Sequence, residues 1–393
     1  MRRRLIPRRS AIWLTFRPAA LYGSVDGQKF SVADPTVKAR HSRKYFGKDR
    51  GVVAYSLLAN HVALQTELLG ANQHESYWVF DICFNNTSDI VPATITGDMH
   101  SINKANFAIL HWFGMNLAPR FTNLQAQLKH LCCGCDPEEY ANFLIPPAGQ
   151  IDRKLMTSEK ANIDRIVATL GLKEMSQSTL VRKLCTLSGH HRTRKAIFEF
   201  DKLIRSIYTL RYLRDPQLQR NVHRSQNRIE SYHQLRSALA QVSGRKELIG
   251  RTDLDVAISN ECGRLVANIV IAYNSILLSG LLDRYQVAAN QKALELLKRI
   301  SPVAWQHIRF LGHYAFRDKQ HPSTSKPFWL GSICSKTIGL DLLDQFRGFG
   351  LTTPERSRVK EGAIVTTTNS SQQRGLLPGG ISVPKLTLAE GPI

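Results

Sequence analysis

The sequence predicts an α/β fold in which a mixed sheet is flanked by helices. Strand-like and helix-like runs alternate through the first 121 residues, whereas apolar residues spaced three and four apart dominate from residue 122 to about residue 316. A chain of 393 residues can bury a large core, so we expect one large domain, with or without an insertion.

The first 121 residues predict the element order β-β-β-α-β-α-β. The first strand covers 22–26 and resumes at 29–32 after a turn at Asp26-Gly27. The six elements after it are strands at 51–59 and 61–69, a helix within 74–86, a short buried strand at 92–96, a helix that ends at Gly114, and a strand at 115–121. This order, with one acid on the first strand and another after the fourth strand, is the ribonuclease-H-like arrangement.

The chain after this sheet-forming part is mainly helical. Residues 122–223 are helical and basic, and we interpret them as an insertion before the helix that contains Glu230. The helices predicted beyond residue 121 are 160–172 and 195–213 within the insertion, then 225–242, 253–282, 286–300 and 301–310.

The two ends of the chain differ in character from its centre. Residues 1–20 are basic and are interrupted by Pro7 and Pro18, while residues 317–393 are rich in glycine, proline, serine and threonine. The predicted organisation is therefore a basic N-terminus at 1–20, a folded domain at 21–316 and a loosely ordered tail at 317–393.

The charge balance indicates a polyanionic partner. Lysine and arginine number 53 and aspartate and glutamate 31, which gives a net charge of +22 and a pI near 9.9. Nucleic acid and an anionic membrane surface are the two candidates. Residues 265–282 are long and apolar, but Asn268, Asn274, Ser275 and Ser279 favour a buried helix of a large core over a membrane span. The arginine-rich N-terminus also lacks the apolar stretch of a secretory signal.

The cysteines do not indicate a disulfide framework. There are seven, an odd number, and we expect reduced thiols. His130, Cys132, Cys133 and Cys135 are zinc-ligand types at short spacing. A structural zinc site needs a second ligand pair at matched spacing, and none follows in the sequence. Ordinary thiols are therefore the favoured interpretation.

Three acidic residues, Asp26, Asp98 and Glu230, form the candidate functional site. The two aspartates stand where strand-like segments end and the glutamate lies on a predicted helix, so folding can bring all three together. Carboxylate oxygens suit Mg²⁺ or Mn²⁺, and two such ions can activate an attacking oxygen and stabilise a leaving oxygen at a phosphate. No serine, tyrosine or cysteine nucleophile motif is evident, which fits a reaction without a covalent enzyme intermediate.

Each of these acids also has a structural alternative. Asp26-Gly27 is typical of a turn. Asp98 stands before a helix, where it would be a good N-cap. Glu230 lies beside Arg228 and fits a solvated helix face with charge pairs. The spacing of the three residues leaves these alternatives open.

Three blocks of sequence resemble the catalytic region of Tn3-family transposases, whose chemistry is that of the DDE transposases. The blocks are GSVDGQKFSVADPTVKARHSRKYFG, NNTSDIVPATITGDMHSINKANFAILHWFG, and NRIESYHQLRSALAQVSGRKEL followed by GRLVANIVIAYNS. They occur in the family's order and the resemblance extends over 21–316. It assigns the family's first aspartate to Asp26, the second to Asp98 and the glutamate to Glu230. Members often have Asn-Lys-Gly-Glu where this chain has Asn-Arg-Ile-Glu, and a Gly-Tyr near the position of Met-His-Ser-Ile-Asn.

The resemblance implies a function and its requirements. It implies a metal-dependent transposase that frees a DNA 3′-hydroxyl by water attack and joins it to target DNA. Two Mg²⁺ ions, with Mn²⁺ as a substitute, would be held by Asp26, Asp98 and Glu230, with Asp26 bridging both. The implied partners are transposon-end DNA, target DNA and a second copy of the chain, with no membrane, in the bacterial cytoplasm at the nucleoid.

The ends of the chain suggest a second hypothesis. Full Tn3-family transposases are far longer, and neither 1–20 nor the tail at 317–393 resembles the family. We therefore also expect an N-terminally truncated chain, and the alternative function is a remnant that binds DNA or interferes with an intact transposase. A ribonuclease-H-like nuclease of another kind is a distant third hypothesis.

Basic residues near the three acids are candidate DNA contacts. Arginine and lysine contacts to phosphate position DNA without reading its sequence. The candidates are Lys38, Arg40, Arg43, Lys44, Arg192, Arg194, Lys195, Arg228 and Arg236. A generic solvated basic surface is the alternative for each of them. For His233 and Gln234, one turn beyond Glu230, the alternatives are a position facing the site and a plain helix-surface position, and the surface position is favoured.

Overall fold

A curled mixed sheet forms the centre of the structure. The computed structural model describes residues 21–187 and 189–311. The basic segment predicted at 1–20 and the tail predicted at 317–393 lie outside these residues. The strands in chain order are β1 Tyr22–Val32, β2 Arg40–His41, β3 Arg50–Ala59, β4 Val62–Gly70, β5 Thr94–Thr96, β6 Asn116–Leu117, β7 Cys132–Cys133, β8 Gly149–Gln150 and β9 Glu247–Leu248.

Seven of the strands in the described part of the chain form the main sheet. Its order is β2-β3-β1-β5-β6, with β4 paired to β3 and β9 paired to β1. β1, β3 and β4 are antiparallel neighbours, whereas β5 and β9 run parallel to β1 and β6 runs parallel to β5. β7 and β8 form a separate parallel pair. The predicted mixed α/β class is confirmed, and the sheet is compatible with a ribonuclease-H-like domain.

The predicted turn at Asp26-Gly27 is wrong. β1 passes through both residues without interruption, with Asp26 opposite Ser56 and Gly27 opposite Tyr55 on β3. Gly27 is needed for close packing rather than for a turn, because a Cβ atom there would lie 2.4 Å from the carboxylate of Glu75. The turn instead lies between β3 and β4, where Asn60 has a φ of 59°.

Helices surround the sheet and form the remainder of the fold. In chain order they are α1 Arg43–Phe46, α2 Val79–Phe84, α3 Asn106–Trp112, α4 Leu124–Leu128, α5 Arg153–Ser158, α6 Lys160–Gly171, α7 Gln177–Thr186, α8 Arg192–Arg214, α9 Pro216–Ala240, α10 Asp253–Val287 and α11 Gln291–Leu297. Residues 122–223 are mainly helical, as predicted, and their status as an insertion stays a prediction.

Several helix boundaries differ from the predictions; for example, α10 continues to Val287 and α11 covers only Gln291–Leu297. α9 begins at Pro216 rather than at residue 225, because Asp215 accepts hydrogen bonds from the backbone N–H groups of Gln217 and Leu218 and proline suits the first helical position. The helix predicted at 301–310 is wrong, since that described segment is not helical and instead packs against α10. The side-chain amide of Asn274 on α10 donates to two carbonyl groups of this segment, those of Pro302 and Ala304.

α9 is fixed along β1 by polar contacts. The Ser24 hydroxyl donates to the carbonyl of Ser225 at 2.9 Å, and the Gln28 amide donates to the carbonyl of His233 at 2.6 Å. Farther across, the Gln226 amide donates to the Thr96 hydroxyl at 3.0 Å. These contacts set the position of α9 along the first part of β1 and over the end of β5.

α10 is the most apolar helix, and within the described residues it alone is long and apolar enough to cross a membrane. Two of the polar residues that favoured a core helix bind protein groups. Asn268 exchanges two hydrogen bonds with the backbone of Ala63 on β4, and Asn274 binds the segment after α11. The apolar α10 residues Ala267, Val270 and Ile271 are buried against α9.

Candidate active site

Asp26 lies on the central strand of the sheet. Its side chain is 25% exposed and its carboxylate accepts the backbone N–H of Gly27 at 2.9 Å. Burial, followed by the charges of Glu75 and Asp98, raises the pKa of Asp26 to about 7. Asp26 is therefore a half-buried acid with negative charges as its neighbours.

Asp98 stands at the end of the neighbouring strand. β1 and β5 are parallel with Ser24 opposite Thr96, so Asp26 and Asp98 each lie two residues beyond this last pair. Asp98 also accepts the backbone N–H of His100 at 2.8 Å and caps the 3₁₀ turn Met99–Ser101. The capping alternative is thus confirmed, and the same residue faces Asp26 closely enough to raise its pKa.

Glu230 lies on α9, between the two contacts that fix this helix to β1. Its side chain is 50% exposed and its carboxylate pairs with the guanidinium of Arg120 at 3.3 Å. In the part of the chain that the structure describes, no three His, Cys, Asp or Glu side chains converge as a ready metal site. The structure thus brings Asp26 and Asp98 together and leaves the Glu230 carboxylate on an arginine.

Two further residues at this site were not predicted from the sequence. Glu75, on the 3₁₀ turn Glu75–Trp78, packs over Gly27 and lies 3.8 Å from the Lys29 ammonium. Arg120 follows β6, and its backbone N–H donates to the carbonyl of Gly97 beside Asp98 at 2.8 Å. Neither residue belongs to a recognisable motif. The signal that could have indicated Glu75 was the glycine at position 27, where a side chain would clash.

The surface position predicted for His233 is wrong. Its ring is 14% exposed, its Nδ1 atom lies 3.6 Å from Asp26, and its Nε2 atom is buried with no hydrogen-bond partner. Burial lowers the pKa of His233 to about 3, so the ring is neutral at physiological pH. Gln234 is exposed, as predicted.

The candidate DNA contacts fall into three groups. Lys38, Arg40, Arg43, Lys44 and Lys195 are exposed. Others are engaged within the protein: Arg192 pairs with Glu159 at 3.2 Å, Arg194 donates to the carbonyl of Leu187, and Arg228 is half-buried. Arg236 is only 4% exposed and donates to the carbonyl and side chain of Asn260. Its burial argues against the DNA contact predicted for it.

The donor set fits a hard divalent cation. Asp26 and Asp98 supply carboxylate oxygens, and the repulsion that raises the pKa of Asp26 is the interaction that a bound cation would relieve. Asp26 and Asp98 would hold such an ion, with Glu230 available once it leaves Arg120.

The fold is compatible with a DDE-type domain, and comparison with known families identifies the family. Residues 11–314 match the Tn3 transposase DDE domain, which covers more than three quarters of the chain. The chain therefore belongs to this family, and the family resemblance seen in the sequence is confirmed. DDE transposases as a family use divalent metal ions.

Relatives with curated names agree with this assignment. The chain is 23% identical to the transposase for transposon Tn4556 of Streptomyces fradiae over 310 residues, which is 78% of this chain and 34% of the relative. It is 22% identical to the Tn1546 transposase of Enterococcus faecium over 298 residues, 76% of this chain and 30% of the relative. It is 23% identical to the Tn501 transposase of Pseudomonas aeruginosa over 305 residues, which is 77% of this chain and 30% of the relative. The chain spans about a third of the length of these relatives.

Proposed function

We propose that this chain is the catalytic domain of a Tn3-type transposase, with DNA as its substrate. The main support is the placement of Asp26 on β1 beside Asp98 at the end of the neighbouring strand β5, where burial, followed by the charges of Glu75 and Asp98, raises the pKa of Asp26 to about 7. Two Mg²⁺ ions, which Mn²⁺ can replace, are the proposed cofactors. Asp26, Asp98 and Glu230 are the proposed ligands and catalytic residues.

The proposed chemistry has a cleavage step and a joining step. When bound, the divalent ions activate the attacking oxygen and stabilise the leaving oxygen. In cleavage, a water oxygen bonds to phosphorus, the bond to the 3′ oxygen breaks, and a proton leaves the water as the 3′ oxygen gains one. In joining, that 3′-hydroxyl attacks a target phosphodiester and displaces its 3′ oxygen. Asp26 on β1, Asp98 just after β5 and Glu230 on α9 would hold these ions, since the three carboxylates by themselves repel a phosphate.

The proposed setting follows from the same assignment. We propose a catalytic domain at 21–316 with a helical insertion at 122–223, acting on transposon ends and target DNA. A homodimer in the bacterial cytoplasm, at the nucleoid, is the proposed assembly. The net charge of +22 supports DNA as the partner.

The test is a nicking assay with the full 393-residue chain. Wild-type protein with Mn²⁺ is expected to convert supercoiled plasmid to the nicked form, and Asp98→Ala is expected to reduce the rate to background. Asp89→Ala is the matched control, because Asp89 is an exposed aspartate outside the carboxylate group. Asp89→Ala should nick at the wild-type rate.

Two outcomes would contradict the proposal. Equal nicking by wild type and Asp98→Ala would assign the activity to a contaminant or another site. DNA binding without nicking in any variant is the result expected of a DNA-binding remnant.

A further inference from the structure

Arg120 is a cation held within a group of acids. Its guanidinium lies 3.3 Å from Glu230, and its backbone N–H binds the carbonyl of Gly97, the residue before Asp98. The elements that present Asp98 and Glu230 thus both contact Arg120. None of the motifs in the sequence assigns a role to this residue.

The backbone around Arg120 is firmly anchored. The hydroxyl of Tyr208 on α8 donates to the carbonyl of Pro119 at 2.7 Å. The ring of Phe121 packs edge-on against Tyr208 and Tyr212, with centroids 5.4 and 5.2 Å apart. The residues on both sides of Arg120 are therefore fixed by contacts that do not involve its side chain.

The ion pair itself is open to exchange. The Arg120 side chain is 26% exposed and that of Glu230 is 50% exposed, and the ion pair joins Nη2 of Arg120 to Oε1 of Glu230. A solvent-exposed pair of this kind contributes little to stability, so the fold does not depend on it. An incoming phosphate presents several anionic oxygens to a guanidinium, whose planar donors match phosphate geometry.

The surroundings favour an approaching polyanion. A shallow pocket on α9, lined in part by Arg220, His223, Arg224 and Asn227, ends one turn before Glu230. Arg224 and Arg228 follow one turn apart on α9, before Glu230. A phosphate backbone lying along α9 would offset their positive charges and reach Glu230 and its partner Arg120.

We propose that Arg120 positions the reacting DNA phosphate, and that it exchanges its ion pair with Glu230 for a phosphate oxygen when DNA binds. The exchange frees the Glu230 carboxylate at the moment the substrate arrives. This inference rests on the proposed function, since it requires DNA as the ligand. Arg120 would then be a positioning residue that also keeps Glu230 engaged in the absence of DNA.

A double-mutant cycle on DNA affinity tests the exchange without relying on catalysis. The binding of a fluorescent 30-base-pair duplex to the full chain is measured in EDTA, for wild type, Glu230→Gln, Arg120→Ala and the double variant. Glu230→Gln frees the guanidinium for phosphate, so we expect affinity to rise about 3- to 10-fold and the salt slope to steepen by about 0.9, the value for one phosphate contact. In the Arg120→Ala background the same change should have no such effect.

The cycle separates a specific exchange from a general change in charge. Removing any carboxylate makes the protein more basic, so a general effect would strengthen binding equally in both backgrounds. The exposed pair of Lys298 and Glu295 on α11 provides the matched control: Glu295→Gln should give the same small change with Lys298 or with Ala at position 298. If Arg120→Ala fails to fold, Arg120→Gln takes its place in the cycle.

The outcomes distinguish this inference from the proposed function. Equal gains from Glu230→Gln with and without Arg120 would overturn the role of Arg120, whatever the nicking assay shows. A gain that depends on Arg120 supports the exchange, even if Asp98→Ala and wild type nick alike and the proposed catalysis fails.

Discussion

Asp26 is half-buried and Asp201 is buried, and burial raises the pKa of each to about 7. Their neighbours differ. Asp201 on α8 accepts the backbone N–H groups of Phe107 and Ala108 at 2.9 and 3.2 Å, and so caps α3 from another helix. Asp26 accepts one N–H from the next residue in its strand and faces the carboxylates of Glu75 and Asp98.

The two acids differ in how the groups around them act on the pKa, apart from the effect of burial. The two N–H groups and Arg205 lower the pKa of Asp201 against the effect of burial, so the protein stabilises its charge. Glu75 and Asp98 raise the pKa of Asp26 further, and the smaller effects of the Gly27 N–H and Lys29 oppose them, so the neighbouring carboxylates work against the charge of Asp26. A raised pKa alone therefore does not distinguish a structural acid from a ligand-binding one. Whether the neighbouring groups raise or lower that pKa makes the distinction.

The largest expected difference between the two acids is in cation binding. Asp26→Asn should weaken Mn²⁺ binding by about 100-fold, roughly 2.7 kcal/mol, because it removes a central ligand oxygen. Asp201→Asn should leave Mn²⁺ affinity unchanged, since Asp201 is sealed against α3. The electron paramagnetic resonance signal of free Mn²⁺, titrated against the full chain, measures both. Equal loss in the two variants would mean that Mn²⁺ binding reports only on the integrity of the fold.

The loss of stability should be larger when Asp201 is replaced than when Asp26 is replaced. At pH 5 both acids are protonated in the folded protein, because the pKa of each is about 7. Asp201→Ala should then lower the free energy of unfolding by about 2 kcal/mol, since two buried N–H groups lose their acceptor. Asp26→Ala should cost less than about 1 kcal/mol. Urea unfolding in EDTA measures both, and a larger loss for Asp26→Ala would make Asp26 the structural acid of the two.

Much of the sheet could be predicted from the sequence, because its pattern is local. The apolar runs that became β3 and β4 and the acid after β5 are visible in the chain itself. The predicted turn at Asp26-Gly27 failed because local preference yielded to pairing with β3 and to the carboxylate of Glu75. The helix predicted at 301–310 failed because side-chain bonds from Asn274 satisfy its carbonyls, which periodicity does not reveal.

The candidate site was predictable only in part, for a related reason. Asp26 and Asp98 were predicted to come together from two strand ends, whereas in the structure β1 continues past Asp26 and only its pairing with β5 ends before the two acids. The presence of Glu75, Arg120 and His233 at the site depends on the direction of each side chain after distant elements have packed. The role of Asp201 is equally hidden, since it caps a helix that begins 95 residues earlier in the chain. Contacts between residues so far apart in the chain are not encoded in a local sequence pattern.

The pH dependence of stability sharpens the comparison. A carboxyl group whose folded pKa lies near 7, above its ordinary 3.8, stabilises the protein fully below about pH 4 and loses that contribution as the pH rises through 7. In Asp201→Asn the contribution of Asp26 to this loss remains, which should be about 1–2 kcal/mol after allowance for its exposure, and saturating Mn²⁺ should abolish that contribution. In Asp26→Asn the contribution of Asp201 remains, and Mn²⁺ should have no effect on it. Unfolding titrations from pH 4 to 8 measure the two losses, and equal sensitivity to Mn²⁺ would remove the distinction between the acids.

The smallest effect concerns the neighbour that sets Asp26 apart. Glu75→Gln removes the largest charge contribution to the raised pKa of Asp26 while it preserves the shape of the side chain over Gly27. In the Asp201→Asn background, the midpoint of the stability loss should therefore move to lower pH by less than about 1 unit. Glu67→Gln is the matched control, because burial raises the pKa of Glu67 as well but its carboxylate pairs with Lys38 and does not act on Asp26. A midpoint that stays fixed in Glu75→Gln would leave burial as the cause of the Asp26 shift, and the contrast with Asp201 would then depend on Asp98 alone.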